Sequence, residues 1–439
     1  MSSEWAVSTV GSVCTKVFSG GTPTSTNAAF YDGDIPWLRT KEVNYGKIFK
    51  TEQCISQLGF ENSSVKLVPI NSVIVAMYGN GDTAGRVAIN KVPLTTNQAC
   101  CNLLIDPDRA DYRFIYYYLM GRYSDLVDLK NGGAQQNLNA RLVKEFSIRV
   151  PPLVMQRSIA DFLEALDDRI ILLRETNATL DAIAQALFKS WFVDFDPVHA
   201  KMEGRDPDGM DETTASLFSS GLKVTELGAV PIGWTVAPIS DVVSTAGGAT
   251  PDTKNEAFWS EGVHSWTTPK DLSGLATPVL LNTERKLSPA GLSKIGSGLL
   301  PRRTLLLSSR APIGYLALTE IPMAINQGYI AMLPGGQLPP LYLLFWCRQN
   351  MELIKARANG STFMEISKKA FRPIPVLVPP PPIVEAFMRV AESIFDRLVE
   401  NEKQAQTLAA LRDALLPRLI SGQLRLPEIE RNLPDFVAA

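Results

Sequence analysis

Two stretches of this chain space their apolar residues in alternating steps of three and four, and each begins just after a pair of prolines. From Ile159 the positions are Leu163, Leu166, Ile170, Leu173, Asn177, Leu180, Ala184, Leu187 and Trp191. The second stretch reads Phe387, Ala391, Ile394, Leu398, Asn401, Ala405, Leu408, Arg412, Leu415 and Leu419. Such spacing draws a narrow apolar stripe along an α-helix, the heptad seam of a coiled coil. Proline suits the first turn of a helix and not its interior, so Pro151-Pro152 and Pro379-Pro380 mark the starts. Each helix is predicted to run about 35–40 residues, roughly 50–60 Å at 1.5 Å per residue. Paired antiparallel, the two would bury their seams against each other, and Asn177 would hold the register because a buried amide is satisfied in one alignment only. The alternative is that each helix packs only on its own domain.

The remaining segments carry shorter signals. Ser72-Val73-Ile74-Val75-Ala76-Met77 and Thr304-Leu305-Leu306-Leu307 read as strands. Phe114 to Leu129 and Leu341 to Ala358 read as helices, stopped by Asn131-Gly132 and Asn359-Gly360. Short strands mixed with helices predict an α+β domain with irregular loops rather than a doubly wound sheet.

This pattern is written twice, with a shift of about 228 residues. Trp5-Ala6-Val7 returns as Trp234-Thr235-Val236, and Gly20-Gly21-Thr22-Pro23 as Gly247-Gly248-Ala249-Thr250-Pro251. Asn27-Ala28-Ala29-Phe30-Tyr31 returns as Asn255-Glu256-Ala257-Phe258-Trp259, Trp37 as Trp266, and Lys41-Glu42 as Lys270-Asp271. Gly85, Pro93 and Asn97-Gln98 match Gly314, Pro322 and Asn326-Gln327. A period of this size means two domain-sized copies, a pseudo-twofold molecule and two similar sites. The expected organisation is a first copy over residues 1–152, a central helix over 153–196 and a connection over 197–230. A second copy over 231–382, a distal helix over 383–424 and a tail over 425–439 complete it. If the helices pair as an antiparallel coiled coil, they join the two α/β copies and fix their separation.

Composition changes this picture little: the chain has 439 residues, 45% of them apolar and 20% charged, as in soluble proteins with two or more cores. No apolar run of about 18 residues and no basic-then-apolar leader is present, so the expectation is no membrane and a cytoplasmic location. Cys14, Cys54, Cys100, Cys101 and Cys347 show no paired spacing and read as buried thiols. Charge is more informative in its distribution than in its total of −2. Residues 1–152 and 231–382 together carry +7 and the rest −9. Either this is chance, or the repeated copies face a polyanion while the segments between them face protein. A pI near 5.9 suggests that a partner supplies most phosphate contacts.

Several chemistries are excluded. His199 and His264 stand apart from any metal-ligand spacing. No Gly-x-x-x-x-Gly-Lys-Ser/Thr, no Gly-x-Gly-x-x-Gly after a strand and no Asp/Asn-Pro-Pro-Tyr/Phe is present. One decoy is Asp271 with Glu284-Arg285-Lys286, which has the carboxylate and lysine order of a metal-dependent nuclease. In the first copy Glu42 stands for Asp271, but a constant shift places Ile55 opposite Glu284, so the set is not expected to repeat. A nuclease using Asp271, Glu284 and Lys286, or a pure protein scaffold, are the competing readings.

What the loops offer is binding chemistry, since Asn and Gln match adenine, Arg and Lys match guanine, and Thr methyls touch thymine. Candidates in the first copy are Trp37, Arg39, Lys41, Tyr78, Asn80, Arg86, Thr96, Asn97, Gln98, Gln135, Gln136 and Asn137. In the second they are Trp266, Lys270, Arg310, Asn326, Gln327, Thr362, Phe363, Lys368 and Lys369. Repeated residues such as Asn97-Gln98 have a plain alternative, a polar turn held by its own hydrogen bonds. Residues that differ within matching loops are the better readers of different sequences, and shared ones suit scaffold or phosphate contact. The apolar groups at the helix ends, Phe188, Trp191, Phe192, Phe195, Leu416 and Leu419, suit partner docking or local packing.

Leu187-Phe188-Lys189-Ser190-Trp191-Phe192-Val193-Asp194-Phe195-Asp196-Pro197-Val198 resembles the end of the central helix in specificity subunits of type I restriction-modification systems. Leu415-Leu416-Pro417-Arg418-Leu419-Ile420-Ser421-Gly422-Gln423-Leu424 resembles the end of their distal helix. The Gly-Gly-x-Thr-Pro loop, Ile35-Pro36-Trp37, the Asn-Gln pair and the Val-Pro-Pro before each helix are also similar. The resemblance covers essentially the whole chain. It implies a noncatalytic subunit whose two target recognition domains each read half of a bipartite double-stranded DNA sequence. It also implies helical regions that set the gap and dock two adenine-methylating modification subunits, with restriction subunits joining them. No cofactor is then expected on this chain; S-adenosylmethionine, ATP and magnesium would be bound by partner subunits.

Overall fold

The computed structural model describes residues 5–79, 81–129, 137–360 and 364–426. The chain divides into two compact units, Met1–Ile171 with Gln406–Ala439, and Leu172–Ala405.

In the first unit a five-stranded sheet runs in the order Cys14–Ser19, Cys100–Ile105, Val73–Ala76, Val87–Asn90, Lys47–Ile48, with only the last pair parallel. Val73–Ala76 is buried at every position, which is why its sequence is an unbroken apolar run rather than an alternation. Successive side chains leave opposite faces. Val73 and Val75 join Phe114, Ile115 and the long helices in one core, while Ile74 and Ala76 join Leu38 and Leu94 in another. Beside it lies a three-stranded sheet ordered Gln53–Ile55, Tyr31–Leu38, Thr95–Thr96.

The second unit repeats this strand for strand. Its five-stranded sheet is Thr245–Ala246, Tyr329–Met332, Leu305–Ser308, Leu316–Thr319, Val279–Leu280, and its three-stranded sheet is Arg285–Leu287, His264–Thr267, Ala324–Ile325. The same pairs are parallel. Leu305 and Leu307 face one core and Leu306 the other. The α+β expectation holds, with mostly antiparallel sheets. The two predicted domain helices are each broken once, into Tyr112–Gly121 and Tyr123–Asp128, and into Pro340–Gln349 and Met351–Ala356. Residues 197–230 are packed rather than loose: Val198 and Phe218 are buried in the second unit's core, and Leu222–Thr225 pairs with Gly228–Pro231.

The central helix is Leu153–Phe192 and the distal helix Pro381–Ile420, each of 40 residues. Within the first unit, Ile159 and Leu163 share a core with Leu415, Leu416 and Leu419, and Arg412 Nη1 lies 2.6 Å from Asp167 Oδ1. Within the second, Ala184 and Phe188 pack with Phe387, Ala391 and Leu398. Early turns of one helix therefore meet late turns of the other in both units, so the pairing is antiparallel. The helix ends also pack on the sheets, but the shared seams set aside the alternative that each helix packs only on its own domain. Among the described residues no helix is long and apolar enough to cross a membrane.

Candidate nucleic-acid interface

The repeated loops meet at one end of the three-stranded sheet in each copy. Gly21 N donates to Thr96 O at 2.9 Å, and Ala249 N to Ile325 O at 3.1 Å. The Trp37 indole donates to Gly21 O at 3.1 Å and the Trp266 indole to Ala249 O at 3.2 Å. Thr22 Oγ1 donates to Gln98 Oε1, and Thr250 Oγ1 to Gln327 Oε1 at 2.6 Å. A Cβ on Gly20 would lie 2.1 Å from Thr96 O, and one on Gly248 would lie 1.8 Å from Ile325 O, so this approach requires glycine. Gly20-Gly21-Thr22-Pro23 and Gly248-Ala249-Thr250-Pro251 are thus docked in the same way onto the Asn-Gln turn of their copies. Both glutamines are exposed.

Next to the turn lies a second repeated device. Glu42 accepts from Arg39 N at 3.1 Å and from Glu52 N at 2.7 Å. Asp271 accepts from Thr268 N at 2.7 Å and from Glu284 N at 3.2 Å. Lys41 pairs with Glu52, and Lys270 with Glu284 at 3.0 Å. The Lys41 hydrogen bond, with Arg39 beside it, holds the Glu52 carboxyl below the usual carboxylate range. These contacts correct the match of Ile55 to Glu284: the two carboxylates are repeated, although the full set with its lysine is not. Strand pairing sets Gln53 opposite Trp37 and Arg285 opposite Trp266, so Glu52, not Ile55, is the counterpart of Glu284. Asp271 is spent on backbone N–H groups, Glu284 on Lys270, and Lys286 is matched by Cys54. Asp271 and Glu284 brace a loop, and among the described residues no three His, Cys, Asp or Glu side chains gather as for a metal ion.

The other predicted contact residues divide by burial. Trp37, Trp266 and Thr96 are 6%, 2% and 0% exposed, which corrects their assignment as base readers: they are scaffold. Thr96 Oγ1 accepts from Asn102 Nδ2 at 2.8 Å. Asn97 and Asn326 are half-buried turn residues; Asn326 Oδ1 accepts from Gly328 N at 2.9 Å. Tyr78 packs against the first unit's core. Several cations are matched by acids: Arg39 with Glu52 at 2.7 Å, Arg86 with Asp82 at 2.7 Å, Arg310 with Glu365 at 3.7 Å. The Arg86 hydrogen bond in turn lowers the Asp82 carboxyl. Lys368 and Lys369 are exposed, and Lys368 lies beside the Gly247 loop. Gln98, Asn137 and Gln327 are exposed. Asn80, Gln135, Gln136, Thr362 and Phe363 lie outside the described residues.

The aromatic groups assigned to partner docking are mostly core. Phe188, Trp191 and Phe192 are 2%, 7% and 6% exposed and cluster on Phe387 at ring distances of 5.7, 6.1 and 5.1 Å. Phe195 is half-buried, 5.5 Å from the Trp234 ring. Leu416 and Leu419 are buried in the first unit. Burial removes these five, Phe188, Trp191, Phe192, Leu416 and Leu419, from any free surface. Sequence spacing could not separate a helix end that meets a partner from one that meets its own domain.

A family model described as type I restriction modification DNA specificity domain matches residues 2–182 and 231–409, one match for each copy. The chain is 25% identical to the type I restriction enzyme MjaIX specificity subunit of Methanocaldococcus jannaschii, over 97% of this chain and 95% of that protein. It is 28% identical to the type I restriction enzyme HindI specificity subunit of Haemophilus influenzae, over 69% of this chain and 74% of that protein. Its fold is similar to the crystal structure of the type I restriction-modification system S subunit from M. genitalium, with a TM-score of 0.55 and 18% identity over 95% of this chain and 96% of that one. With both copies matched, and well over half the chain covered, this chain belongs to the type I restriction modification DNA specificity domain family.

Proposed function

We propose that this chain is the sequence-specific DNA-recognition subunit of a type I restriction-modification complex. It is noncatalytic, and each copy reads one half of a bipartite target. The observation that carries this reading is the duplicated site: the same loop, turn and buried tryptophan stand at the same sheet end in both copies, while exposed side chains at matching positions, such as Gln53 and Arg285, differ. A shared frame with different readers is what a two-part target requires. The helix pair acts as the ruler. Half-sites about one turn of duplex apart, roughly 34–36 Å, fall within the reach of a 40-residue helix.

Two adenine methyltransferase subunits dock on this chain, and restriction subunits join them. S-adenosylmethionine, ATP and magnesium act on those partners, in the cytoplasm. The docking face moves from the buried aromatics to exposed apolar positions on the central helix. Leu172 and Ile183, 52% and 51% exposed, lie three turns apart on one face. The test is a map of modified adenines in cells carrying this chain with its methyltransferase, against cells carrying the methyltransferase alone. A split motif that depends on this chain supports the reading. No motif, with the complex shown to assemble, overturns it.

A further inference from the structure

Two side chains occupy the same place in the two copies and differ in chemistry. Gln53 pairs with Trp37 across an antiparallel ladder, and Arg285 pairs with Trp266. Each stands beside an edge-to-face aromatic pair, Tyr31 with Trp37 at 5.9 Å and Trp259 with Trp266 at 5.0 Å. The Arg285 guanidinium carbon lies 3.5 Å from the Trp259 ring centroid and 5.4 Å from that of Trp266. Gln53 and Arg285 are both exposed. Among the described residues neither side chain makes a hydrogen bond or an ion pair.

We propose that this paired position reads a base edge in each half-site, guanine for Arg285 and adenine for Gln53. The inference rests on the reading of this chain as a DNA-recognition subunit and assigns residues to it. Arg39, Arg86 and Arg310 each face a carboxylate, and each must break that pair before presenting its fork to a base. Arg285 has no such pair to break. Stacking on Trp259 holds its planar fork in place while leaving the N–H edge free. That edge matches the O6 and N7 acceptors of guanine, as the amide of Gln53 matches N7 and N6–H of adenine. Exposed Lys286, the next residue of the strand, and exposed Lys294, over the Phe258 ring, add positive charge to this region for phosphates. The frame around the position is constant between copies, so a change of side chain changes the base read without changing the fold.

The competing explanation is that Arg285 only covers Trp259. The full complex separates the two. Modified-adenine motifs are mapped for the wild type and for R285A, R285Q, R285K and Q53A. The expected result is that the three Arg285 variants lose the guanine preference at one position of one half-site, by roughly 5- to 150-fold, with the other half unchanged. Q53A is expected to relax one adenine in the other half. R285K keeps the charge but not the fork, so it decides the matter even if the smaller side chains weaken folding. Variants that modify the wild-type motif with undiminished preference overturn the proposal. A wild type that yields no motif defeats the parent reading instead, and is seen separately.

Discussion

Asn401 Nδ2 donates to Asn177 Oδ1 at 2.9 Å between the two long helices, and Asn177 Nδ2 passes the chain on to Leu398 O at 3.2 Å. Both amides are 1% exposed, and Asn401 Oδ1 has no partner. A polar pair at this depth is satisfied by one alignment of the seams. Asn177→Leu alone leaves the Asn401 amide stranded and is expected to cost about 1–3 kcal/mol. The double replacement N177L/N401L is expected to recover most of that loss, because an apolar pair strands nothing. Urea unfolding of both single variants and the double closes the cycle; additive losses would contradict the pairing.

A cluster of charges fastens the first sheet domain to the central helix. Lys47 Nζ and Arg113 Nη1 each lie 2.8 Å from the carboxylate of Glu164. Burial pushes that carboxyl up, but the hydrogen bonds from Lys47 and Arg113 outweigh it, so the net direction is down from the ordinary 4.5. A carboxyl lowered on folding contributes stability that is complete above its unfolded value and is lost as pH falls through the folded value. The wild type is therefore expected to lose stability below about pH 4.5, and Glu164→Gln to lose less over the same span. Urea midpoints at pH 7 and pH 4 for both proteins check this. Parallel losses would exclude Glu164.

Thiol reactivity follows burial. Burial pushes the Cys14 and Cys101 thiols up to about 12, and raises Cys100 and Cys347 as well. Only the thiolate attacks a disulfide reagent. Cys54, half-buried and free, is expected to be the one cysteine labelled by an aromatic disulfide near pH 8 in the folded protein. Cys54→Ser should abolish that reaction and leave four thiols to appear in denaturant. Labelling of Cys100 or Cys347 without denaturant would contradict the packing.

Gly248 sits where a Cβ would lie 1.8 Å from Ile325 O. Gly248→Ala must move the docked loop off its turn, and is expected to cost about 1–3 kcal/mol. The urea midpoint measures it, and a wild-type midpoint would contradict the close approach.

The helices and the repeat were legible because their signals are local and redundant. A 40-residue seam repeats its message every turn, and a proline pair marks each start. Asn177 stood out because a single amide interrupts an apolar stripe. What sequence did not reveal was tertiary. The link from Glu42 to Glu52 is three residues shorter than that from Asp271 to Glu284, so a constant shift matched Ile55 to Glu284 and hid the repeated brace. Trp37, Trp266, Phe192 and Leu419 carry large apolar groups that suit a binding surface as well as a core, and only their neighbours decide between these. Arg285 stands between two members of the decoy set and is not singled out by the sequence, because its stack on Trp259 depends on strand register.

The ruler is tested most directly by shortening both helices together. Deleting residues 170–176 and 402–408 removes one heptad from each, between the Asp167–Arg412 and Asn177–Asn401 contacts, and keeps the seams in phase. The loss of about 10 Å of helix corresponds to roughly three base pairs at 3.4 Å each. Mapping modified adenines with the shortened chain should give both half-sites unchanged and a spacer shorter by about that amount. An assembled complex that modifies the wild-type spacer would contradict the account.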